Sequence, residues 1–151
     1  MKRPMDSFFA SHDYNGIEIV RTNVIESEGV LISGTRGWTL PDDTEFKEQD
    51  RKIYERELAR LRLCFDEMDR KDPSRSMPRV IMLHYPPLTK KSGATEFTDI
   101  IRDGGASICV YGHLHGFAHR NIYEDIEFEG CRYYCTSGDY LGFVPLKLLS
   151  F

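Results

Sequence analysis

Three of the five histidines in this 151-residue sequence stand at positions that suit metal ligands. His84 directly follows the apolar run 80–83. His113 and His115 belong to a Gly-His-Leu-His-Gly sequence that follows a second apolar run, 106–111. Neutral imidazole binds zinc, manganese, iron and nickel, so the residue types and their spacing indicate a metal site. The alternative is that each histidine makes an ordinary hydrogen bond at the end of a strand.

The elements that must position these histidines are predicted to form a βαβ unit. Both apolar runs are typical of buried strands, and a short helix from Glu96 to Arg102 is predicted between them. The carboxyl ends of parallel strands meet at one edge of the sheet, where open α/β sheets bind ligands. We therefore expect His84 to lie beside the second histidine motif. Residues two apart on an extended backbone point the same way, so His113 and His115 are expected to point to one place.

The rest of the chain predicts strands around one long helix. Residues 17–34 are rich in β-branched and apolar side chains and predict a β-hairpin or meander. The segment from Asp43 to about Lys71 has helical apolar periodicity and no Gly or Pro, which predicts a long amphipathic helix capped by Asp43. Its charged positions indicate a solvated face without a function. After Gly116, strands of a mixed sheet are predicted at 121–124, 126–129, 132–135 and 144–149.

Composition excludes several classes of protein. The formal net charge is −4, and the 24 acidic and 20 basic residues are interspersed, so no nucleic-acid-binding signature is found. No apolar stretch approaches the roughly 18–20 residues that cross a bilayer, and no signal peptide is recognised. We therefore expect a cytoplasmic protein with four reduced cysteines. Cys131 and Cys135 lack a second pair at zinc-site spacing and are expected to be small apolar residues of a strand.

Taken in order, these motifs resemble those of the calcineurin-like metallophosphoesterases. Gly112-His-Leu-His115 and the earlier strand-terminal His84 are similar to two metal-binding motifs of that family. The resemblance is closer to a bacterial subgroup of predicted phosphohydrolases and runs from about residue 16 to residue 151. Segments similar to those of the subgroup are Gly34-Thr-Arg-Gly-Trp38, the helix at 50–62, Met82-Leu-His-Tyr-Pro-Pro87, Tyr111-Gly-His-Leu-His-Gly116 and Asp139-Tyr-Leu-Gly-Phe143.

This resemblance implies a fold, a reaction and a set of ligands. Members of the family are four-layer α/β/β/α sandwiches that hydrolyse phosphoesters with two divalent metal ions (Mn, Fe, Zn or Ni) held between the two sheets. By the resemblance, His84 and His113 bind one ion and His115 binds the other. Two ions about 3.5–4 Å apart lower the pKa of a bridging water and clamp the attacking and leaving oxygens at phosphorus. The implied function is that of a metal-dependent phosphatase or phosphodiesterase.

Motifs that the family places before this region are missing from the sequence. They are D-x-H, a G-D segment whose Asp bridges the two ions, and G-N-H-D with the catalytic His. Ser11-His-Asp-Tyr14 lacks the Gly-Asn and is interpreted as a connector, and Asp139 beside Gly138 is interpreted as a turn residue. The chain thus resembles the C-terminal half of the sandwich, and residues 1–151 are expected to form a single partial domain. We expect a truncated gene product that is weakly active or inactive, with at most half of the metal site.

Two other functions stay open. One is a mononuclear zinc-binding module whose ligands are His84, His113 and His115. The other is a non-enzymatic interaction protein, because half a sandwich leaves a sheet edge and an apolar face uncovered and favours self-association. A further hypothesis assigns substrate binding to Arg36 and Trp38, since a guanidinium in a Gly-flanked loop can bind phosphate through two hydrogen bonds. Its alternative is an Arg that caps carbonyls and a Trp that packs on the sheet edge.

Overall fold

The computed structural model describes Phe8, residues 17–123 and residues 125–149. These residues form an α/β structure with a mixed six-stranded sheet and one long helix. The strands are β1 (Ile25–Ser27), β2 (Val30–Thr35), β3 (Arg79–Leu83), β4 (Ile108–Tyr111), β5 (Ile126–Phe128) and β6 (Cys131–Cys135). The helices are α1 (Glu48–Lys71) and α2 (Glu96–Asp103), and a 3₁₀ helix spans Gly116–Asn121.

The sheet has the strand order β1-β2-β3-β4-β6-β5. Its four central strands, β2, β3, β4 and β6, are parallel, and β1 and β5 pair with them antiparallel at the two edges. Helix α1 connects β2 to β3, and α2 connects β3 to β4. Because βαβ crossovers are right-handed, two successive crossovers in one direction place both helices on the same face. The carboxyl ends of four parallel strands consequently meet at one edge of the sheet.

Both helices cover the first face of the sheet and enclose the larger core. The residues of this core from α1 are Tyr54, Leu58, Leu61, Phe65 and Met68, and those from α2 are Phe97, Ile100 and Ile101. They pack against Leu31, Ile81, Cys109 and Tyr133 of the sheet. Burial of each large apolar side chain contributes about 1.5–3 kcal/mol to the free energy of folding. This packing fixes the strand ends that carry the histidines.

The second face of the sheet is less completely covered. Its small core consists of Val30, Val80, Ile108 and Val110, against which the half-buried Leu148 and Leu149 pack. Residues 144–149 form no strand, so the prediction of a strand there is wrong; they lie across the face as an irregular segment. Met82 in the middle of β3 is 42% exposed, which corrects the prediction that this strand is buried on both faces.

Helix α1 begins at Glu48, and the prediction that Asp43 caps it is wrong. Asp43 instead closes a separate turn, in which its Oδ1 accepts a hydrogen bond from the Glu45 N–H at 2.9 Å. At the start of the helix the Asp50 carboxylate accepts from the Lys47 N–H at 2.8 Å. A carboxylate in the first turn satisfies free N–H groups and interacts favourably with the helix dipole.

Most of the other predicted elements are confirmed. Strands β1 and β2 form the predicted hairpin in the second half of the segment 17–34, whereas residues 17–24 join no strand. Helix α2 extends to Asp103, and the strands at 126–128 and 131–135 are present. The prediction of a strand at 121–124 is wrong, because Asn121 ends the 3₁₀ helix and the next two residues join no strand. All four cysteines are buried and free of disulfides. In the described part of the chain no helix has the length and apolar character of a membrane span. The Ser11–Tyr14 segment lies outside the described residues.

Candidate metal centre

The candidate site lies at the edge of the sheet where the four parallel strands end. Arg36 follows β2, His84 follows β3, His113 comes shortly after β4, and Asp139 comes shortly after β6. Backbone hydrogen bonds continue beyond the strands and hold these loops together. The His84 N–H donates to the Arg36 carbonyl, and the Gly112 N–H donates to the His84 carbonyl, each at 3.1 Å. Three distant parts of the sequence are thereby joined at one edge.

His84 and His113 are in direct contact. The Nε2 atom of His84 lies 3.0 Å from the Nδ1 atom of His113, and the two rings meet at 71°. The His113 backbone has a φ of 70°, in the left-handed region that residues other than Gly seldom adopt. Strain of this kind costs on the order of 1–3 kcal/mol and is common at functional sites. The left-handed conformation directs the His113 ring towards His84.

The same turn separates His113 from His115. Strand β4 ends at Tyr111, and the left-handed φ of His113 interrupts the extended backbone from which a shared direction of the two rings was predicted. His115 instead faces Asp139, with its Nδ1 atom 2.8 Å from Oδ1 of the carboxylate. The two histidines of the motif therefore make two neighbouring contacts. His113 contacts His84, which follows β3, and His115 contacts Asp139 in the loop after β6.

Asp139 organises the second contact. It accepts hydrogen bonds from His115 and from the Gly116 N–H at 3.0 Å, and these, His115 foremost, lower its pKa to about 2. An ionised carboxylate only accepts, so His115 Nδ1 carries the proton and its Nε2 keeps a lone pair. A carboxylate behind a histidine in this way is the usual arrangement for a metal ligand.

Two residues of this contact were not predicted from the sequence. Asp139 lies in a turn, as predicted, but its hydrogen bond to His115 was not predicted. Its position just after the last parallel strand was the signal that could have revealed it. His119 has its Nε2 atom 2.9 Å from the Leu114 carbonyl and 3.5 Å from Asp139 Oδ1. Because a carbonyl only accepts, His119 Nε2 carries a proton and is not available to a metal.

Aromatic rings form the other wall of the site. The Tyr85 ring lies 4.0 Å from the His113 ring and 5.1 Å from the Trp38 ring, measured between centroids. Trp38 is half-buried, and its Nε1 donates a hydrogen bond to Asp50 Oδ1 at 3.1 Å. Packing of this kind was the alternative to a role of Trp38 in substrate binding. The Arg36 guanidinium stacks over Trp38 at 4.2 Å. Tyr85 was not predicted, and only its place next to His84 pointed to it.

The electrostatics of the site favour a neutral His113 ring. Burial lowers the pKa of His113, and the neighbouring His84 and His115 lower it further. A neutral imidazole has a lone pair for a metal ion, whereas a protonated one has none. At neutral pH the His113 ring is therefore in the form that binds metal.

The two ring nitrogens lie at a hydrogen-bond distance, so one ring donates to the other. Two nitrogens at about 2.1 Å from an ion, on bonds at right angles as in octahedral coordination, are also about 3.0 Å apart. In the described residues no three His, Cys, Asp or Glu side chains gather around one point in the manner of a complete metal site. A bound ion would supply Lewis-acid polarisation of a phosphoryl oxygen and a water of lowered pKa.

Comparisons with protein-family models, with curated proteins and with solved structures gave no match for this chain.

Proposed function

We propose that this chain is a metal-dependent phosphoester hydrolase in which His84 and His113 bind one divalent ion. The observation that carries the proposal is the 3.0 Å contact between their ring nitrogens at the carboxyl edge of a parallel sheet. Edges of this kind are where α/β proteins bind ligands. Phosphoester hydrolysis as the reaction is supported by the resemblance of the motifs to the calcineurin-like metallophosphoesterases.

His115 is the proposed ligand of a second ion, held in position by Asp139. The described residues bring no carboxylate into a shared ligand group with the histidines, and two dications without a bridging negative charge repel each other strongly. We therefore expect a half-occupied site and slow turnover from this chain. Mn, Fe, Zn and Ni all suit imidazole ligands.

The proposal includes the architecture that the resemblance implies. In it, the six-stranded sheet is one of the two sheets of a four-layer α/β/β/α sandwich, within a single domain over residues 1–151. It is supported by helices that cover only one face, while Met82 on the other face is 42% exposed. A cytoplasmic location and a phosphoester as the binding partner belong to the same proposal.

Metal binding by the histidine pair is tested by equilibrium dialysis. The purified chain is dialysed against Mn²⁺ or Zn²⁺, and bound metal is measured by mass spectrometry. We expect about one ion per chain, lost in His84→Ala and in His113→Ala. The matched control is His119→Gln, which keeps a donor for the Leu114 carbonyl and should bind metal as the unaltered chain does. Equal binding by His113→Ala would refute the assignment.

Hydrolysis is tested separately with p-nitrophenyl phosphate and bis(p-nitrophenyl) phosphate. We expect slow, Mn²⁺-dependent release of nitrophenol that disappears in His113→Ala and persists in His119→Gln. Metal binding without hydrolysis of either ester would replace the hydrolase by the second candidate, a mononuclear zinc-binding module. The same contact favours that candidate, because the two ring nitrogens of the pair would share a single ion.

A further inference from the structure

A cleft rich in arginine opens beside the histidine pair. It has a volume of about 1210 Å³, lies at the carboxyl ends of β2 and β3, and has His84 in its wall. Among the described residues that line it, the arginines are Arg21, Arg36, Arg56 and Arg60, and the carboxylate is Glu18. The chain as a whole has a net charge of −4, so this positive charge is a local concentration and does not reflect composition.

Two of the arginines are anchored by a buried carboxylate. Glu57 on α1 is completely buried, and Arg60 Nη1 lies 2.6 Å from its Oε1 atom. Arg56 Nε lies 3.8 Å from the same oxygen, and the Thr35 hydroxyl donates to the other oxygen. One carboxylate offsets one positive charge, so the Arg56 and Arg60 pair keeps an excess positive charge at the cleft wall. The charged face of α1 was predicted to be a solvated face without a function. Two of its residues, Arg56 and Arg60, line the cleft.

The other two guanidinium groups have no acidic partner among the described residues. In the described part of the chain, neither Arg21 nor Arg36 has a hydrogen bond or ion pair from its guanidinium to a protein group. Arg36 stacks with its face on Trp38 at 4.2 Å, and stacking leaves the in-plane N–H donors unused. Each guanidinium can donate two parallel hydrogen bonds to one phosphoryl group.

We propose that this arginine cleft binds a diphosphate, that is, two linked phosphoryl groups of the substrate. The inference rests on the proposed hydrolase function and names its substrate class: organic esters that carry a second phosphoryl group. Glu57 and Glu18 offset two of the four positive charges, so the described residues leave the cleft a net charge of about +2. The diphosphate is indicated by the two guanidinium groups of Arg21 and Arg36, each of which can bind one phosphoryl group through two hydrogen bonds. His84 is in the wall of the cleft, so a diphosphate bound there would lie beside the proposed metal site.

The test is isothermal titration of inorganic pyrophosphate into the full chain, freed of metal with a chelating resin and kept at constant ionic strength. Each of Arg21→Gln and Arg36→Gln removes charge-assisted hydrogen bonds and should weaken binding about tenfold. The matched control is Arg62→Gln, an exposed arginine of α1 that does not line the cleft. It should change the affinity less than about twofold, in keeping with the screening of a distant surface charge. Circular dichroism verifies that each variant is folded.

The outcomes separate this inference from the metal site. Because the titration contains no metal, weaker pyrophosphate binding by Arg21→Gln or Arg36→Gln is measured independently of metal binding by the histidine pair. Absence of pyrophosphate binding, or equal weakening by Arg62→Gln, would overturn the cleft assignment. Inorganic phosphate binding as tightly as pyrophosphate would overturn the diphosphate. A single-stranded oligonucleotide that bound more tightly, with the same arginine dependence, would overturn the small-molecule substrate.

Discussion

Asp139 and His115, which are 24 positions apart in the sequence, are joined by a 2.8 Å contact between Oδ1 and Nδ1. The carboxylate also accepts hydrogen bonds from the Gly116 and Tyr140 N–H groups, so it is a fixed acceptor. In the neutral His115 ring this contact places the proton on Nδ1 and leaves the lone pair on Nε2.

Asp139→Asn should weaken binding of metal at His115. The asparagine amide can donate to Nδ1 and so move the proton to Nε2, the wrong tautomer for a ligand. Loss of a partner behind a ligand costs about 10–100-fold in metal affinity. Competition with a fluorescent chelator measures the affinity, and Asp66→Asn, an exposed carboxylate of α1, is the control. Unchanged affinity in Asp139→Asn would show that His115 does not bind the ion.

Asp69→Asn should destabilise the fold at neutral pH. Arg79 is a buried arginine, 2% exposed, and its Nη1 lies 2.7 Å from Asp69 Oδ1. Its remaining contacts are to the Gly104 carbonyl at 3.0 Å and the Asp72 carbonyl at 3.3 Å. Asparagine keeps an oxygen that accepts a hydrogen bond but removes the negative charge beside the buried Arg79. Because the Asp69 side chain is 39% exposed, the loss of unfolding free energy should be about 1 kcal/mol. Urea unfolding measures this against Asp66→Asn.

The same ion pair predicts a pH dependence. The Arg75 hydrogen bonds, and next those of Arg79, hold the pKa of Asp69 below its usual value. Stability from a depressed carboxyl pKa is present above about pH 4 and is lost as pH falls through the lower pKa of the folded state. The unaltered chain should therefore lose more stability than Asp69→Asn on acidification below about pH 4. Parallel pH profiles of the two proteins would contradict this.

Gly34→Ala should be among the most damaging small substitutions at the site. A Cβ at this position of β2 would lie 2.0 Å from the Met82 carbonyl oxygen of β3. Forcing the two strands apart should cost about 3 kcal/mol or more. Gly112→Ala is the comparison, because its Cβ would meet only the Ser137 hydroxyl, at 3.7 Å. Thermal unfolding should show a large decrease in Tm for the first variant and a small one for the second.

Trp38 emission should report occupancy of the arginine cleft. Trp38 is the only tryptophan, and Arg36, which lines the cleft, stacks on its ring. A diphosphate that draws Arg36 towards itself changes this stacking and hence the fluorescence. We expect a saturable change with pyrophosphate at the affinity found by titration, absent in Arg36→Gln and retained in Arg62→Gln. If calorimetry detects pyrophosphate binding and the Trp38 emission does not change, Arg36 does not contact the ligand.

The sequence by itself determined the elements and the edge at which the candidate site lies. Apolar runs at 80–83 and 106–111 predicted two buried parallel strands, and the long apolar periodicity before Lys71 predicted α1. Both signals are local: a period of two or 3.6, or an unbroken apolar run, is readable without knowing what packs against it. Placing His84 beside His113 also followed, because parallel strands must end at the same edge. Self-association through the second face stays a prediction.

Only the tertiary structure decided which side chains meet at that edge. The left-handed backbone of His113 sends its ring to His84 and leaves His115 for Asp139, and no local pattern encodes that rotation. The arginine cleft joins a segment before β1, the loop after β2 and one side of α1, so its four arginines look like ordinary surface charges in sequence. Contacts between residues far apart in the chain depend on strand order and loop direction, which packing of the whole sheet determines.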